Sequence, residues 1–438
     1  MKLEDYLKLD AETYPEKVAV ICKGETLTYS QLFSRVSRCA SEWRSKGIGE
    51  GGIVPLESSR TIDYLVNYFA IHTLGAVAVP LEQGIPEEMF QQISERLSTC
   101  TISADTADIL FTTGTTGRSK GVMVSHKAII ADAENLIDAM SFTHENVFII
   151  NGPLNHAGCW SKVFPIIMLG GTLYLIEGMK NAEDLFTAMD YPSHKMAIFL
   201  VPASIRILLQ FSSDRLAKYA DKIDFIETGA APMPHSDMLR LCEILPDSRL
   251  FNTYASTETG IITTYNYNDG RCIPGCLGKP MKHSKIMITD NGTLACQGDT
   301  LMTGYAGDEE LTLSVLHDNT LFTTDLAQID SEGMLHLLGR QDDVINVGGF
   351  KVAPSEVEEV AMALPEVKDC ICISSPHPIM GNALKLLVVL NAGYDLDKKR
   401  IARYIHSKLE TYKVPLAYQA VPSIHRTFNG KIDRKAYR

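Results

Sequence analysis

Between Asp108 and Gly121 the chain reads DILFTTGTTGRSKG. A β-favouring run leads into Thr112, Thr113, Thr115, Thr116 and Ser119, interleaved with Gly114, Gly117 and Gly121. Glycines let backbone N–H groups converge on an anion, hydroxyls add donors, and Lys120 adds a mobile positive charge. That is the composition of a loop that cradles a polyphosphate. It is not a Walker A loop, which needs Gly-Lys-Ser/Thr after its first glycine and four residues; Arg118, Ser119, Lys120 and Gly121 do not supply it.

The elements around this loop alternate. Residues 17–22 (KVAVIC) read as a buried strand, 29–46 as an amphipathic helix, 64–74 as a helix and 76–81 as a strand. Short β-favouring runs follow at 108–112, 148–151, 172–176, 197–201 and 225–228. Strands alternating with helices indicate layered α/β structure. After about residue 265 the texture changes to short strands at 285–289, 294–296, 322–324 and 334–338, separated by Asn-Gly, Gly-Asp and Glu-Gly turns. This reads as antiparallel β structure. A charged, glycine-rich stretch, GRQDDVINVGGFKV, then leads into a βαβ-like tail with helices at 355–364 and 397–409.

The 438 residues are 45% hydrophobic and 21% charged, ample for buried cores and unlike a disordered, collagenous or disulfide-stapled chain. A net charge of −12 argues against affinity built on phosphate neutralisation of a nucleic acid. The charge is uneven: residues 341–438 carry a net +3, which leaves −15 on the rest. A basic lid over an anionic ligand is one reading, chance composition the other. The ten cysteines include no CxxC pair and no zinc-finger spacing, as in a cytoplasmic protein with reduced thiols. MKLEDYLKLD lacks the apolar core of a signal peptide, and the longest apolar stretch, 164–176, is too short to span a bilayer. The expectation is a soluble, cytoplasmic protein.

The phosphate-loop segment resembles the signature of the acyl-adenylate-forming (ANL) superfamily, which includes acyl-CoA and aryl-CoA ligases, luciferases and peptide-synthetase adenylation domains. Further motifs follow in the family's order: LTYSQL, GAVAVPLE, PLNHAG, TGAAPMP, NTYASTETG, FTTDLAQID, GRQDDVINVGGFKVAPSEVE and RTFNGKIDR. The resemblance implies an α/β fold. It has a large N-terminal AMP-binding domain, 1–341, of layered α/β subdomains plus a small β-rich subdomain. A small mobile α+β C-terminal lid domain, 342–438, pivots at Asp342. It also implies a two-step reaction. A carboxylate attacks the α-phosphate of ATP to give an acyl adenylate and pyrophosphate; a thiol then displaces AMP. Both steps build negative charge, so catalysis should be mostly positioning and electrostatics.

Residue by residue, the resemblance implies that Thr112, Thr113, Gly114, Thr115, Thr116, Gly117 and Lys120 hold the β- and γ-phosphates. Thr257 donates to the α-phosphate, and Glu258 is the Mg²⁺ ligand, a carboxylate joining phosphate oxygens and waters. Gly229, Ala230 and Ala231 approach the adenine and Tyr254 stacks on it. Asp325 accepts the ribose hydroxyls, with Arg340 beside it. Lys431 reaches from the lid to the attacking carboxylate and the α-phosphate. Gly348, Gly349, Phe350 and Lys351 line a pantetheine channel for coenzyme A or a carrier-protein phosphopantetheine. His156 and Trp160 are candidate walls of the acyl pocket. No acid within Asn155 to Trp160 is available to hold an α-ammonium group, which points to a carboxylic acid without one.

The chain departs from the pattern at Ser119 (usually Pro), Ala255 and Thr324 (usually Gly) and Asn346 (usually Lys or Ser). A lost glycine matters where the backbone needs a positive φ. The stretch between Leu81 and Asp108 is also short for the family, which should trim an edge of the large domain and reshape a wall near the nucleotide. The leading expectation is an acid-thiol ligase acting on a small carboxylic acid with ATP, Mg²⁺ and coenzyme A. An enzyme that loads an acyl carrier protein is the near alternative, and a catalytically weak nucleotide sensor is one of another class. A homodimer is compatible with all three.

Overall fold

The structure, a computed structural model, describes residues 1–112, 120–179, 182–426 and 432–437. Its largest sheet has nine strands. Six run parallel in the middle, in the order Val18–Cys22, Thr172–Leu175, Val147–Ile150, Met196–Phe199, Ile223–Thr228 and Arg249–Ser256. Antiparallel strands flank them: Glu25–Thr28 on one side, Gly260–Asn266 and then Lys279–Pro280 on the other. A second sheet is ordered Gly304–Tyr305, Lys120–Ser125, Thr106–Thr112, Val77–Leu81 and Ile53–Glu57. One apolar core joins residues of both sheets with the helices Leu3–Thr13, Tyr29–Ser45, Ile62–Thr73, His126–Met140 and Ala157–Leu169.

Local sequence explains two of the early motifs. In LTYSQL, Thr28 and Gln31 form a reciprocal capping box: Gln31 N donates to Thr28 Oγ1 at 3.3 Å and Thr28 N to Gln31 Oε1 at 2.9 Å. This starts the Tyr29–Ser45 helix. In GAVAVPLE, Gly75 takes φ +69 just past the Ile62–Thr73 helix, and its N–H donates to the His72 carbonyl at 2.9 Å. Glycine adopts that left-handed turn without steric cost and sends the chain into the strand Val77–Leu81.

The shortened stretch after Leu81 adds no strand. It holds one helix, Glu87–Ser98, whose Leu97 is buried against Val77, Val79, Ile109 and Met123. Phe90 and Ile93 pack beside it. The expected trimmed edge is therefore closed over by an amphipathic helix, because its apolar residues cover the face of the second sheet.

Beyond residue 265 the strands Ser284–Ile288, Thr293–Gly298, Thr320–Ile329 and Leu335–Arg340 pair antiparallel, as the turn signals predict. The last hundred residues have an apolar core of their own, including Ile345, Val357, Cys370, Leu386 and Ile401. It lies between the helices Pro354–Met362 and Lys398–His406 and a three-stranded sheet. That sheet is a hairpin, Val367–His377 with Gly381–Leu390, to which Ala417–Ala420 adds in parallel. Among the described residues of this sheet, the connection from Gly381–Leu390 through Lys398–His406 to Ala417–Ala420 is the βαβ unit. Among the described residues, no helix is long and apolar enough to cross a membrane.

Candidate active site

The strand Arg249–Ser256 and its return, Gly260–Asn266, are joined by a tight turn carrying Thr257 and Glu258. Ser256 N donates to Thr259 Oγ1 at 2.9 Å and Thr259 N to Ser256 Oγ at 3.1 Å, which fixes the turn. The Glu258 carbonyl accepts from Met302 N at 2.9 Å. Three residues on, Tyr305 pairs with Val122 in the strand that begins at Lys120. The Tyr305 hydroxyl donates to Glu258 Oε1 at 3.0 Å, and Lys120 Nζ lies 5.1 Å from the centroid of the same ring. Lys120, the lysine of the candidate phosphate loop, and the candidate metal-binding carboxylate thus meet across one phenol. Burial, reinforced by Glu258, raises the Tyr305 pKa, so the hydroxyl stays a donor.

A second group is built on facing strands. Asp325 and Arg340 are cross-strand partners in the antiparallel ladder. Arg340 Nε donates to Asp325 Oδ1 at 2.9 Å, and the Tyr254 hydroxyl donates to Oδ2 at 2.6 Å. Burial, then the Asp325 carboxylate, pushes the Tyr254 phenol well above its ordinary pKa. The ring of Tyr254 is only 5% exposed, packed in a cluster with Ile262, Leu277, Leu294 and Leu335. From within that cluster its hydroxyl orients the Asp325 carboxylate.

The candidate adenine turn follows the strand Ile223–Thr228. A Cβ at Gly229 would stand 2.8 Å from Thr253 Oγ1, so only glycine lets the backbone come this close. Ala230 is exposed with φ +67, a left-handed conformation that costs a non-glycine residue roughly 1–2 kcal/mol. Ala231 follows, half-buried. Neither Ala255 nor Thr324 has a positive φ, so those two departures from glycine carry no left-handed strain.

At the candidate acyl pocket, His156 is the N-cap of the helix Ala157–Leu169, and its carbonyl accepts from Trp160 N at 2.9 Å. Trp160 is held from behind: its Nε1 donates to Asp108 Oδ2 at 3.0 Å. With Asp132, Ala157, Ser161 and Gly260, Trp160 lines a small cavity that also touches Thr257. Burial raises the Asp132 pKa to about 6, although its Oδ1 accepts from Ile261 N at 2.7 Å. Two residues beyond Trp160 on the same helix, Lys162 forms a fully buried 2.9 Å ion pair with Glu227. Thr253 Oγ1 lies 3.1 Å from Glu227 Oε1 and 3.0 Å from the Thr228 carbonyl, so its single proton is shared between them. The Lys162–Glu227 pair ties the helix Ala157–Leu169 to the strands that carry Gly229 and Tyr254.

Gly348 and Gly349 form a left-handed turn, φ +56 and +96, between the strands Ile345–Val347 and Phe350–Val352, with Lys351 exposed on the second. Their bonds tie the turn to the C-terminal portion, Gly348 N to the Met380 carbonyl at 3.2 Å and Gly349 N to Asn346 Oδ1 at 2.9 Å. Thr112 ends its strand at the edge of the described region, paired with Lys120. Thr113, Gly114, Thr115, Thr116, Gly117 and Lys431 lie outside the described residues. Just after Lys431, Arg434 donates to both oxygens of Glu358, at 2.9 and 2.6 Å, and lies 3.4 Å from Asp343 beside the expected pivot.

A sequence model of the AMP-binding enzyme family matches residues 7–104 and 94–306, and a model of the AMP-binding enzyme C-terminal domain matches 356–431. The chain belongs to this acyl-adenylate-forming family. It is 26% identical to a feruloyl-CoA synthase from an Amycolatopsis species, with 96% of this chain and 95% of that protein covered. It is 24% identical to Gramicidin S synthase 2 of Brevibacillus brevis over 97% of its own length, but spans only 11% of that protein. Among solved structures, ATP-bound MatB from Rhodopseudomonas palustris superposes with a TM-score of 0.87 at 23% identity, covering 100% of this chain and 98% of that one. At that identity the superposition establishes the AMP-binding fold, with a large portion and a C-terminal domain.

Two features of this family member escape its contiguous motifs. Tyr305 lies 47 residues beyond Glu258 in a two-residue strand, with no local pattern to mark it. Lys162 did carry a signal, as the lone charge in AGCWSKVFPIIML.

Proposed function

We propose that this AMP-binding enzyme activates a carboxylic acid lacking an α-amino group and transfers the acyl group to the thiol of coenzyme A. The observation that carries the reading is the convergence of Glu258 and Lys120 on Tyr305, close to Thr257. It gathers an anionic metal ligand, a cation and hydroxyl donors where a triphosphate would be held. In the first half-reaction the substrate carboxylate attacks the α-phosphate, and pyrophosphate leaves. Thr257 donates to the α-phosphate, and Lys120 with Thr112, Thr113, Thr115 and Thr116 holds the leaving phosphates. Glu258 fits Mg²⁺, with one oxygen already oriented by Tyr305; the ion, when bound, neutralises phosphate charge. Asp325, braced by Tyr254 and Arg340, receives the ribose hydroxyls.

Lys431 completes this arrangement from the C-terminal domain, which pivots at Asp342. Three residues beyond Lys431 in sequence, Arg434 pairs with Asp343 and Glu358, which joins the chain's last described residues to the proposed pivot. In the second half-reaction the thiol attacks the acyl carbonyl and AMP leaves, with Gly348, Gly349 and Lys351 flanking the incoming pantetheine. The absence of an acid across Asn155 to Trp160 supports an acid without an α-ammonium group.

The test is product analysis after incubation with ATP, Mg²⁺, coenzyme A and a panel of aliphatic, aryl and amino acids. AMP and an acyl-CoA from a non-amino acid are expected. Adenylate that accumulates without thioester, and is consumed only by a phosphopantetheinylated carrier, would move the acceptor to a carrier protein.

A further inference from the structure

Away from this site, three helices bring their ends together. Glu4 lies in the first turn of Leu3–Thr13, His72 in the last turn of Ile62–Thr73, and His126 opens His126–Met140. A carboxylate oxygen of Glu4 and one ring nitrogen from each histidine lie within 4.8 Å of one another. The two imidazole rings meet edge to face, 5.5 Å apart.

The hydrogen bonding behind His72 defines what its ring offers. His72 is fully buried, and its Nε2 lies 3.0 Å from Asp108 Oδ1. The other Asp108 oxygen accepts from the Tyr68 hydroxyl at 2.6 Å and from Trp160 Nε1 at 3.0 Å. A carboxylate surrounded by donors takes the Nε2 proton as a third, which leaves Nδ1 of His72 as a lone pair. Nδ1 is buried and has no hydrogen-bond partner among the described residues. The Oε2 oxygen of Glu4 is likewise buried and unpartnered. Two buried acceptors without partners, beside a second histidine, call for either a shared proton or a bound cation.

We infer that Glu4, His72 and His126 form a site for a divalent transition metal ion, with zinc the best match to two imidazoles and one carboxylate. The Asp108–His72 pair supplies the carboxylate-to-imidazole support that metal-bound histidines characteristically have. Its burial gives it a structural role: the ion fastens the N-terminal helix to two helices of the main core. Through Asp108 it also steadies Trp160 at the small cavity beside Thr257.

The experiment measures metal in the full chain, purified without chelators and then titrated with Zn²⁺ against a competing chromophoric chelator. Co²⁺ substitution gives a spectroscopic readout. Glu4→Gln and His126→Gln are compared, each checked for native circular dichroism. About one zinc per chain is expected for the wild type. Each variant loses a direct ligand, so binding should weaken by more than the roughly hundredfold upper cost of losing an outer-shell partner, and the ligand-field absorption of Co²⁺ should be lost at stoichiometric metal. Chelation should lower the Tm of the wild type but not of the variants. Should His126→Gln fail to fold, Glu4→Gln, at a half-exposed position, gives the same comparison. The inference is overturned if the wild type binds neither Zn²⁺ nor Co²⁺, or binds them no more tightly than the variants do.

Discussion

The Tyr305 hydroxyl donates to Glu258 Oε1 at 3.0 Å, from a two-residue strand that also sets its ring against Lys120. One side chain therefore orients the candidate metal-binding carboxylate and gives the lysine of the candidate phosphate loop an aromatic face. The two can be separated by substitution. Tyr305→Phe keeps the ring and removes the hydroxyl. A hydrogen bond to a charged group contributes about 1.5–3 kcal/mol, so kcat/KM for adenylate formation should fall roughly tenfold to a hundredfold. Tyr305→Ala should cost more, because the ring under Lys120 goes too. Steady-state kinetics at varied Mg²⁺ checks this, and Tyr305→Phe activity equal to wild type would remove the proposed role.

The buried Lys162–Glu227 pair predicts a large stability effect. Lys162→Met leaves a fully buried carboxylate without its cation, at a cost of about 3–5 kcal/mol. Changing both residues to apolar ones of similar size should restore much of that loss. Urea unfolding of the single and double variants measures it.

Asp132 predicts a pH effect whose sign can be worked out. Its folded pKa is about 6, against an ordinary 3.8, because burial disfavours the charged form. Between those values the folded chain holds a proton that the unfolded chain has released. Stability is therefore lost as pH rises through this window. Above it, the full penalty of about 3 kcal/mol is present. Asp132→Asn cannot ionise, so its unfolding free energy should lack this decline between about pH 4 and pH 6 relative to wild type. Identical pH profiles from denaturant titration would contradict the assignment.

Lys431→Ala should separate the two half-reactions. Adenylate formation should be lost while a preformed acyl adenylate is still converted to thioester, because Lys431 is proposed to act only in the first step. Equal loss of both, in rapid-quench measurements, would contradict a domain rotation between steps.

Much of this was legible in the sequence because it is local. The phosphate-loop segment, the Thr257–Glu258 turn and the Asp325 strand are contiguous motifs, and it is through them that the chain resembles its family. The capping box at Thr28 and the left-handed Gly75 are likewise short-range features. What escaped is tertiary. Tyr305 joins Glu258 only because the strand Gly304–Tyr305 pairs with the one that starts at Lys120. Asp108 gathers Tyr68, His72 and Trp160 from separations of 40, 36 and 52 residues. An acid in the apolar run TADILF hinted at such a network without naming its partners. The packing of Tyr254 is tertiary as well: apolar side chains of neighbouring strands surround it.

The central claim is carboxylate activation at the Glu258–Tyr305–Lys120 cluster, and pyrophosphate exchange into ATP across a library of carboxylic acids tests it most directly. The expected result is Mg²⁺-dependent exchange with at least one aliphatic or aryl acid, weak or absent exchange with α-amino acids, and a reduced rate in Tyr305→Phe. No exchange with any acid, in a protein that still binds ATP, would contradict it and leave a nucleotide-binding sensor as the better description.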